Sequence, residues 1–490
     1  MLILIMVLAF VHATFAQTVW DGTANTDWYD ASQNEFTITT AEELAGLAKL
    51  VKDGNYFEDK IIKLGADIML NDTTDWENWE TTPPNNTWVP IYSFIGTFDG
   101  NGYIVSGVYT QPVNSIKLSS NYTGLFGAVN GTIENLGITA SYIEGINELG
   151  SCAGGLVGIL NENSIISNSY FIGVVTGPER AGGLAGCVNN MCTINNSYSN
   201  GTVTASNAGG LVGLNSGSIS SSYFNGTVIG KFNAGGLVGR NSGSISSSYF
   251  NGTVTTNGHV SGSNAGGLVG TNVQNSSISS SYSIGAVTES YYVGGLAGHN
   301  SGSISSSYFN GTAKGYAYVG GLAGKSSYAY SSISNSYYDE ETSGLSIVVG
   351  EVGGGTVDGK GKTTAQMKQQ STFVNWDFTN IWGIDSRINC GYPYLLGFEY
   401  SEECNIEFNP VPIINLSQIT NGQIIVQATN NGIVLKNLPS NAKVEVYGLN
   451  GKLITTSHSP LATSLTIPVQ TKGMYIVKIN NTAFRVPVFK

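Results

Sequence analysis

The chain has 490 residues, 64 of them Gly, and only 11% are charged; 33 acidic side chains against 21 basic ones give a net charge of −12. A hydrophobic content of 41% is ample for a core, which excludes a disordered chain. No contiguous basic stretch exists to neutralise phosphates, which argues against nucleic acid as a partner. With so few charges, the surface is expected to be built of Ser, Thr, Asn and Gly.

In chain order, residues 1–16 form an apolar run ending in Thr14-Phe15-Ala16, the pattern of a signal peptide with a small-residue cleavage site, although the usual basic n-region is missing. The run is shorter than the ~20 residues of a membrane span, and no later stretch approaches that length, so no transmembrane segment is expected. Residues 17–122 read as an N-terminal cap and first coils. Within them Thr40 and Glu43 have capping-box spacing, and Leu44, Leu47, Ala48 and Val51 fall on one face of a helix from about Ala41 to Lys52.

Residues 123–338 are a repeat. A Gly-Gly-Leu-(Val/Ala)-Gly pentad begins at Gly154, Gly182, Gly209, Gly235, Gly266, Gly294 and Gly320, with separations of 28, 27, 26, 31, 28 and 26 residues. A degenerate earlier copy, Tyr122 to Gly127, brings the number of coils to about eight. Between pentads runs a second block, clearest at Ser218 to Val228 and repeated at Ser244 and Ser303. Gly, Ser, Asn, Thr, Val, Ile and Tyr favour turns and strands, which excludes helical repeats. A unit of this length cannot bury its apolar face alone, but stacked coils lay Leu on Leu and Ile on Ile. The fold class is therefore all-β, a parallel β-helix. The pentad glycines belong to corners that need positive φ or close approach of the neighbouring coil.

Residues 339–404 read as the C-terminal cap of the solenoid and 405–412 as a linker. Seven alternating segments between Gln423 and Phe489 then make residues 413–490 a small Ig-like β-sandwich. Five of the seven Trp precede residue 90, the other two are Trp376 and Trp382, and all are expected to cover the open solenoid ends.

The pentads and their Ser-Ile-Ser-X-Ser-Tyr partners resemble GLUG-motif repeats, found in bacterial surface adhesins and beside immunoglobulin-A-specific metallopeptidases. The resemblance extends over about residues 36–396. Val444 to Leu453, Gly473 to Lys478 and Phe489-Lys490 resemble a type IX secretion sorting domain of Bacteroidota. That likeness implies the type IX export machinery as a partner and attachment to the outer-membrane exterior.

Catalytic groups are scarce. Between Leu149 and Tyr338 the carboxylates are Glu162, Glu179 and Glu289, with no two one coil apart in register, so an acid/base pair is not expected on the repeats. Neither of the histidines downstream of the signal run nearest to the coils, His259 and His299, belongs to a His-Glu-X-X-His pair, so no peptidase centre is expected. No cofactor and no metal site are expected. A rival reading, a polysaccharide lyase or hydrolase, rests on end-cap carboxylates: Asp72, Asp75, Glu77 and Glu80 beside Trp76 and Trp79, and Asp339-Glu340-Glu341 after the last coil. Cys187 with Cys192, and Cys390 with Cys404, are candidate disulfides, leaving Cys152 over. Tyr291, Tyr292, Tyr316, Tyr318, Tyr328 and Tyr330 crowd the last two coils and, with Trp76 and Trp79, are the candidate ligand-binding residues. The recurrent Tyr223-type positions are expected to form an internal aromatic ladder. The expected function is a non-enzymatic, surface-attached adhesin or structural protein that presents a long uncharged face to an extracellular glycan or host protein, with a passive spacer as a further alternative.

Overall fold

The computed structural model describes residues 19–111, 121–257 and 261–398, together with seven strands between 425 and 488. The expected signal peptide, His259, Cys404 and the linker lie outside the described residues.

Each coil begins with a short Ser-Ile-Ser strand, such as Ser218–Ser220, and turns into a longer strand such as Tyr223–Gly235. It bends sharply at the pentad and runs out along a third strand, such as Val238–Asn241. Successive coils pair in parallel and in register, so Ile194, Ile219, Ile245, Ile278 and Ile304 lie one above another. These isoleucines and the pentad leucines, Leu156 to Leu322, are all buried in one continuous core. A buried rung of this kind contributes roughly 1.5–3 kcal/mol relative to an exposed one. The third strands form a nine-stranded sheet. Eight of them follow the recognised repeats, and the ninth, Val349–Val352, has no pentad to announce it in the sequence.

The pentad glycines owe their place to close approach and not to positive φ. A Cβ on Gly209 would lie 2.1 Å from the Val212 carbonyl oxygen and 2.6 Å from the Gly239 nitrogen of the next coil. Positive φ falls instead on Gly201, Gly226 and Gly252 of the Asn-Gly-Thr segments, which lie within the long strands.

Many polar residues assigned to the surface turn inward. Ser222, Ser248, Ser281 and Ser307 are buried; each hydroxyl donates to the carbonyl two residues earlier at 2.7 Å and accepts the backbone N–H of the corresponding serine in the preceding coil. Asn215, Asn241, Asn272 and Asn300 form an internal amide ladder with 2.8–2.9 Å rungs. These two polar ladders can be buried because each coil supplies the partner that the serine or asparagine of the adjacent coil requires.

The helix Ala41–Lys52 forms as expected, with Thr40 and Glu43 completing the capping box and Leu44, Leu47 and Val51 joining the core at the first coil. The exit segment is a correction. Trp376 and Trp382 do not close the end of the tube. Residues 363–398 run back along its flank as a strap, burying Met367, Phe373, Trp376, Trp382, Tyr392 and Leu395 against Tyr249, Tyr282, Tyr308 and Tyr337. Farther on, seven strands form antiparallel sheets of three and four strands, with Leu435, Val444, Val446, Ile467, Val477 and Ile479 buried.

Candidate functional site

The sharp bend at the pentad folds the outer faces of two strands toward each other. The residue two places before each pentad forms one column: Cys152, Arg180, Asn207, Asn233, Asn264, Tyr292 and Tyr318. The residue just after each pentad forms the facing column: Ile159, Cys187, Leu214, Arg240, Thr271, His299 and Lys325, continued by Glu351. Contacts between the columns show that they meet across a re-entrant groove. Cys152 is disulfide-bonded to Cys187 with their Cα atoms 5.8 Å apart. Thr271 Oγ1 donates to Asn233 Oδ1 at 2.7 Å, and Lys325 Nζ sits 5.1 Å from the Tyr292 ring centre.

This disulfide corrects the expected pairing of Cys187 with Cys192. Alternation along the strand sends Cys187 outward onto the groove wall, whereas Cys192 lies in the core, where burial raises its thiol pKa. Cys152, expected to be left over, is the partner. The partner expected for Cys390 lies outside the described residues.

The groove changes character along its length. Ile159, the disulfide and Leu214 make its N-terminal half mostly apolar, with the Arg180 guanidinium 3.9 Å from both sulfurs. Its C-terminal half is polar and aromatic. Tyr292 and Tyr318 stack at 5.3 Å, and Tyr291 meets both edge-on at 4.9 and 5.7 Å. Lys325 Nζ lies 3.4 Å from the Tyr292 hydroxyl and 3.3 Å from Glu351 Oε1. Burial opposes the Lys325 charge, but its hydrogen bonds to Glu351 and Tyr292 prevail and raise its pKa. His299 Nε2 is 2.8 Å from Ser327 Oγ and 3.3 Å from Ser301 Oγ. Its pKa is lowered, first by burial and then by the charges of Lys325 and Arg240.

Of the tyrosines singled out from sequence, Tyr291, Tyr292 and Tyr318 come together here. Tyr316 lies half-exposed in the turn before the Tyr318–Gly320 strand, outside the cluster. Tyr328 and Tyr330, 61% and 79% exposed, occupy the turn beyond Ala323–Ser326, outside the groove. Trp79 is a correction: it is 3% exposed and packed on Tyr109 and Tyr142, which leaves no face for a ligand, and Trp76 only partly flanks it. Tyr170, Tyr198, Tyr223, Tyr249, Tyr282 and Tyr308 stack at 4.8–5.0 Å as expected for a ladder, but on the outer face of the sheet; the strap, not the tube, buries its C-terminal part. Sequence reasoning missed Arg240, His299, Lys325 and Glu351, and the expected face without charges is corrected by them. Their signal was present: the position following each pentad is where a near-invariant repeat changes its chemistry.

Carboxylates do converge on the coils that precede the first Gly-Gly-Leu pentad. Asp99 and Glu134 pair in register one coil apart, and burial and then the Asp99 charge raise the Glu134 pKa. Asp99 Oδ1 is already engaged by Asn101 N and the Asn135 side-chain amide. Glu144, whose pKa is raised by burial and then by Glu80, lies beside Tyr142. Among the described residues no group of three metal-ligating side chains occurs.

The model of the GLUG motif matches residues 177–204, 230–255 and 289–313. The coils carry GLUG repeats. A Gly-rich membrane protein, so named, of Evansella cellulosilytica is 33% identical over 129 residues, covering 26% of this chain and 11% of that protein, so the chain spans only a small part of the relative. Among the described residues no helix is long and apolar enough to cross a membrane. A Bacteroides ovatus structure named for an immunoglobulin A1 protease aligns at TM-score 0.39 and 21% identity, covering 74% of this chain and 92% of that one. A second, named IgA1 Protease, aligns at TM-score 0.38 and 14% identity, covering 91% and 34%. At these scores neither neighbour bears on what the GLUG solenoid does.

Proposed function

We propose that this protein is a non-enzymatic, surface-attached adhesin or structural protein whose GLUG solenoid holds an extended extracellular polymer along the pentad groove. The observation that carries this reading is the Tyr291, Tyr292 and Tyr318 cluster, whose residues stay partly open to solvent at the groove wall while the C-terminal part of the other, longer tyrosine row is covered by the strap. A shallow site repeated at the coil step favours avidity along a polymer over one deep pocket. Export through the type IX machinery by way of the C-terminal sheets, with attachment to the outer-membrane exterior, completes the reading. The test is binding of the full chain to immobilised glycans and matrix proteins. Tyr292→Ala combined with Tyr318→Ala is expected to abolish retention, and retention unchanged by that pair removes the groove from the account.

The hydrolase or lyase reading is favoured by one observation, the raised pKa of Glu144, through burial and then the Glu80 charge, beside Tyr142 and the Trp76–Trp79 turn. New reducing or unsaturated ends from a polysaccharide, lost in Glu80→Gln and Glu144→Gln, would establish it in place of the first.

A further inference from the structure

Charge is distributed against the trend of the chain. Residues 149–338 carry Arg180, Lys231, Arg240, Lys314 and Lys325 against Glu162, Glu179 and Glu289, a cationic excess in a protein whose net charge is −12. Arg180, Arg240 and Lys325 all stand in the two groove columns, and His299 stands between the latter two. Nothing in the packing requires cations there, because Leu214 and Thr271 occupy equivalent positions in neighbouring coils.

We propose that the C-terminal half of the groove takes an extended anionic polysaccharide, with acid groups on Arg240 and Lys325 and sugar hydroxyls on the edges and hydroxyls of Tyr292 and Tyr318. This rests on the polymer-binding reading above and names the polymer's chemistry. The register supports it. Arg240, Thr271, His299 and Lys325 succeed one another by one coil each, about 4.8 Å per step, close to the advance of an extended pyranose chain per sugar. A chain laid along the axis meets Arg240, His299 and Lys325 at these steps, while Thr271 between them is buried with its hydroxyl donated to Asn233. On the opposite wall, Asn207, Asn233 and Asn264 are linked amide to amide at 2.7 and 3.0 Å, an ordered row of polar groups for uncharged hydroxyls. At the far end Glu351 neutralises part of the Lys325 charge and turns away any acid group placed beyond it. A nucleic acid fits less well, because its denser charge meets the strong net negative charge of the whole molecule.

Anion binding is coupled to His299. Its ring is faced by Arg240, Lys325, Glu351 and Tyr292, with Ser301 and Ser327 on Nε2. Burial and the two cations keep the imidazole pKa below its ordinary value; an acid group between them offsets the cations and raises it. Affinity therefore increases as pH falls through the histidine range, where a uronate is still ionised.

The test is calorimetric titration of the full chain with hexagalacturonate, with a neutral maltohexaose, and with single-stranded DNA and polyglutamate of similar charge. Tight binding of hexagalacturonate is expected, weakening with salt, and Arg240→Gln or the double change Lys325→Gln with Glu351→Gln is expected to weaken it about tenfold each while leaving maltohexaose unaffected. His299→Gln is expected to remove the gain in affinity between about pH 7.5 and pH 5.5. Equal affinity for the neutral and acidic sugars overturns the anionic assignment and leaves the polymer-binding reading standing. Tighter binding of DNA or polyglutamate also overturns it. No binding of either sugar overturns the anionic assignment, and the polymer-binding reading is then decided separately by retention on the immobilised glycans and matrix proteins.

Discussion

Two sets of tyrosines stack one coil above another in this protein, and their surroundings differ completely. Tyr282 and Tyr308 are fully buried beneath Trp376 and Trp382, and the Tyr308 hydroxyl donates to the Pro393 carbonyl at 2.6 Å while accepting from Asn389 Nδ2 at 2.7 Å. Tyr292 and Tyr318 stack at nearly the same spacing but keep solvent access and a lysine in place of a tryptophan. Stacking alone therefore says nothing about function. The cover decides: an aromatic row packed by its own chain is a fastening, and an open one beside unevenly distributed charge is a surface for something else.

The largest test of that contrast is at the strap. Trp382→Ala and Tyr308→Ala are each expected to destabilise the fold by about 3–5 kcal/mol, read from the urea midpoint, because each leaves a large cavity. A near-neutral result would mean that the strap is not a fastening. Reduction of the Cys152–Cys187 bond, which spans 35 residues, comes next, with a loss of about 4 kcal/mol in the chain-entropy account and no new reactivity from buried Cys192.

Asp339, buried at the end of the Ser332–Asp339 strand where the strap docks, tests how the strap is anchored. It accepts Tyr392 OH at 2.6 Å and Thr364 Oγ1 at 2.7 Å, as well as the backbone N–H groups of Glu341 and Thr342. Burial would raise its pKa, but these donors outweigh it and hold it below the ordinary carboxylate value. Because the folded pKa is the lower one, its stabilisation is present above the unfolded carboxylate pKa and is lost as pH falls through the folded value. Asp339→Asn is expected to cost about 1–3 kcal/mol near neutrality and to flatten the acid limb of a stability profile. The smallest expected effect on stability is at the groove: Tyr292→Ala with Tyr318→Ala lowers it by less than about 1 kcal/mol while removing polymer binding. A large loss of stability there would erase the distinction between the two rows.

The parallel coils, the helix at Ala41–Lys52, the seven C-terminal strands and the column stacking were legible in the sequence. They depend on period, capping and turn residues, which act between neighbours along the chain or between identical units in register. The inward serine and asparagine ladders were less legible, since composition gives polarity without direction. Pairing in register is what satisfies these groups and so permits their burial.

What the sequence determined alone, then, was the repeated unit and the direction in which it stacks. Tertiary structure decided the partner of Cys187, the course of residues 363–398 and the membership of the groove. The physical reason is the same in each case. The angle at the Gly-Gly-Leu corner and the return of the strap bring together residues from different coils, and no periodicity within one strand encodes which outer faces will meet.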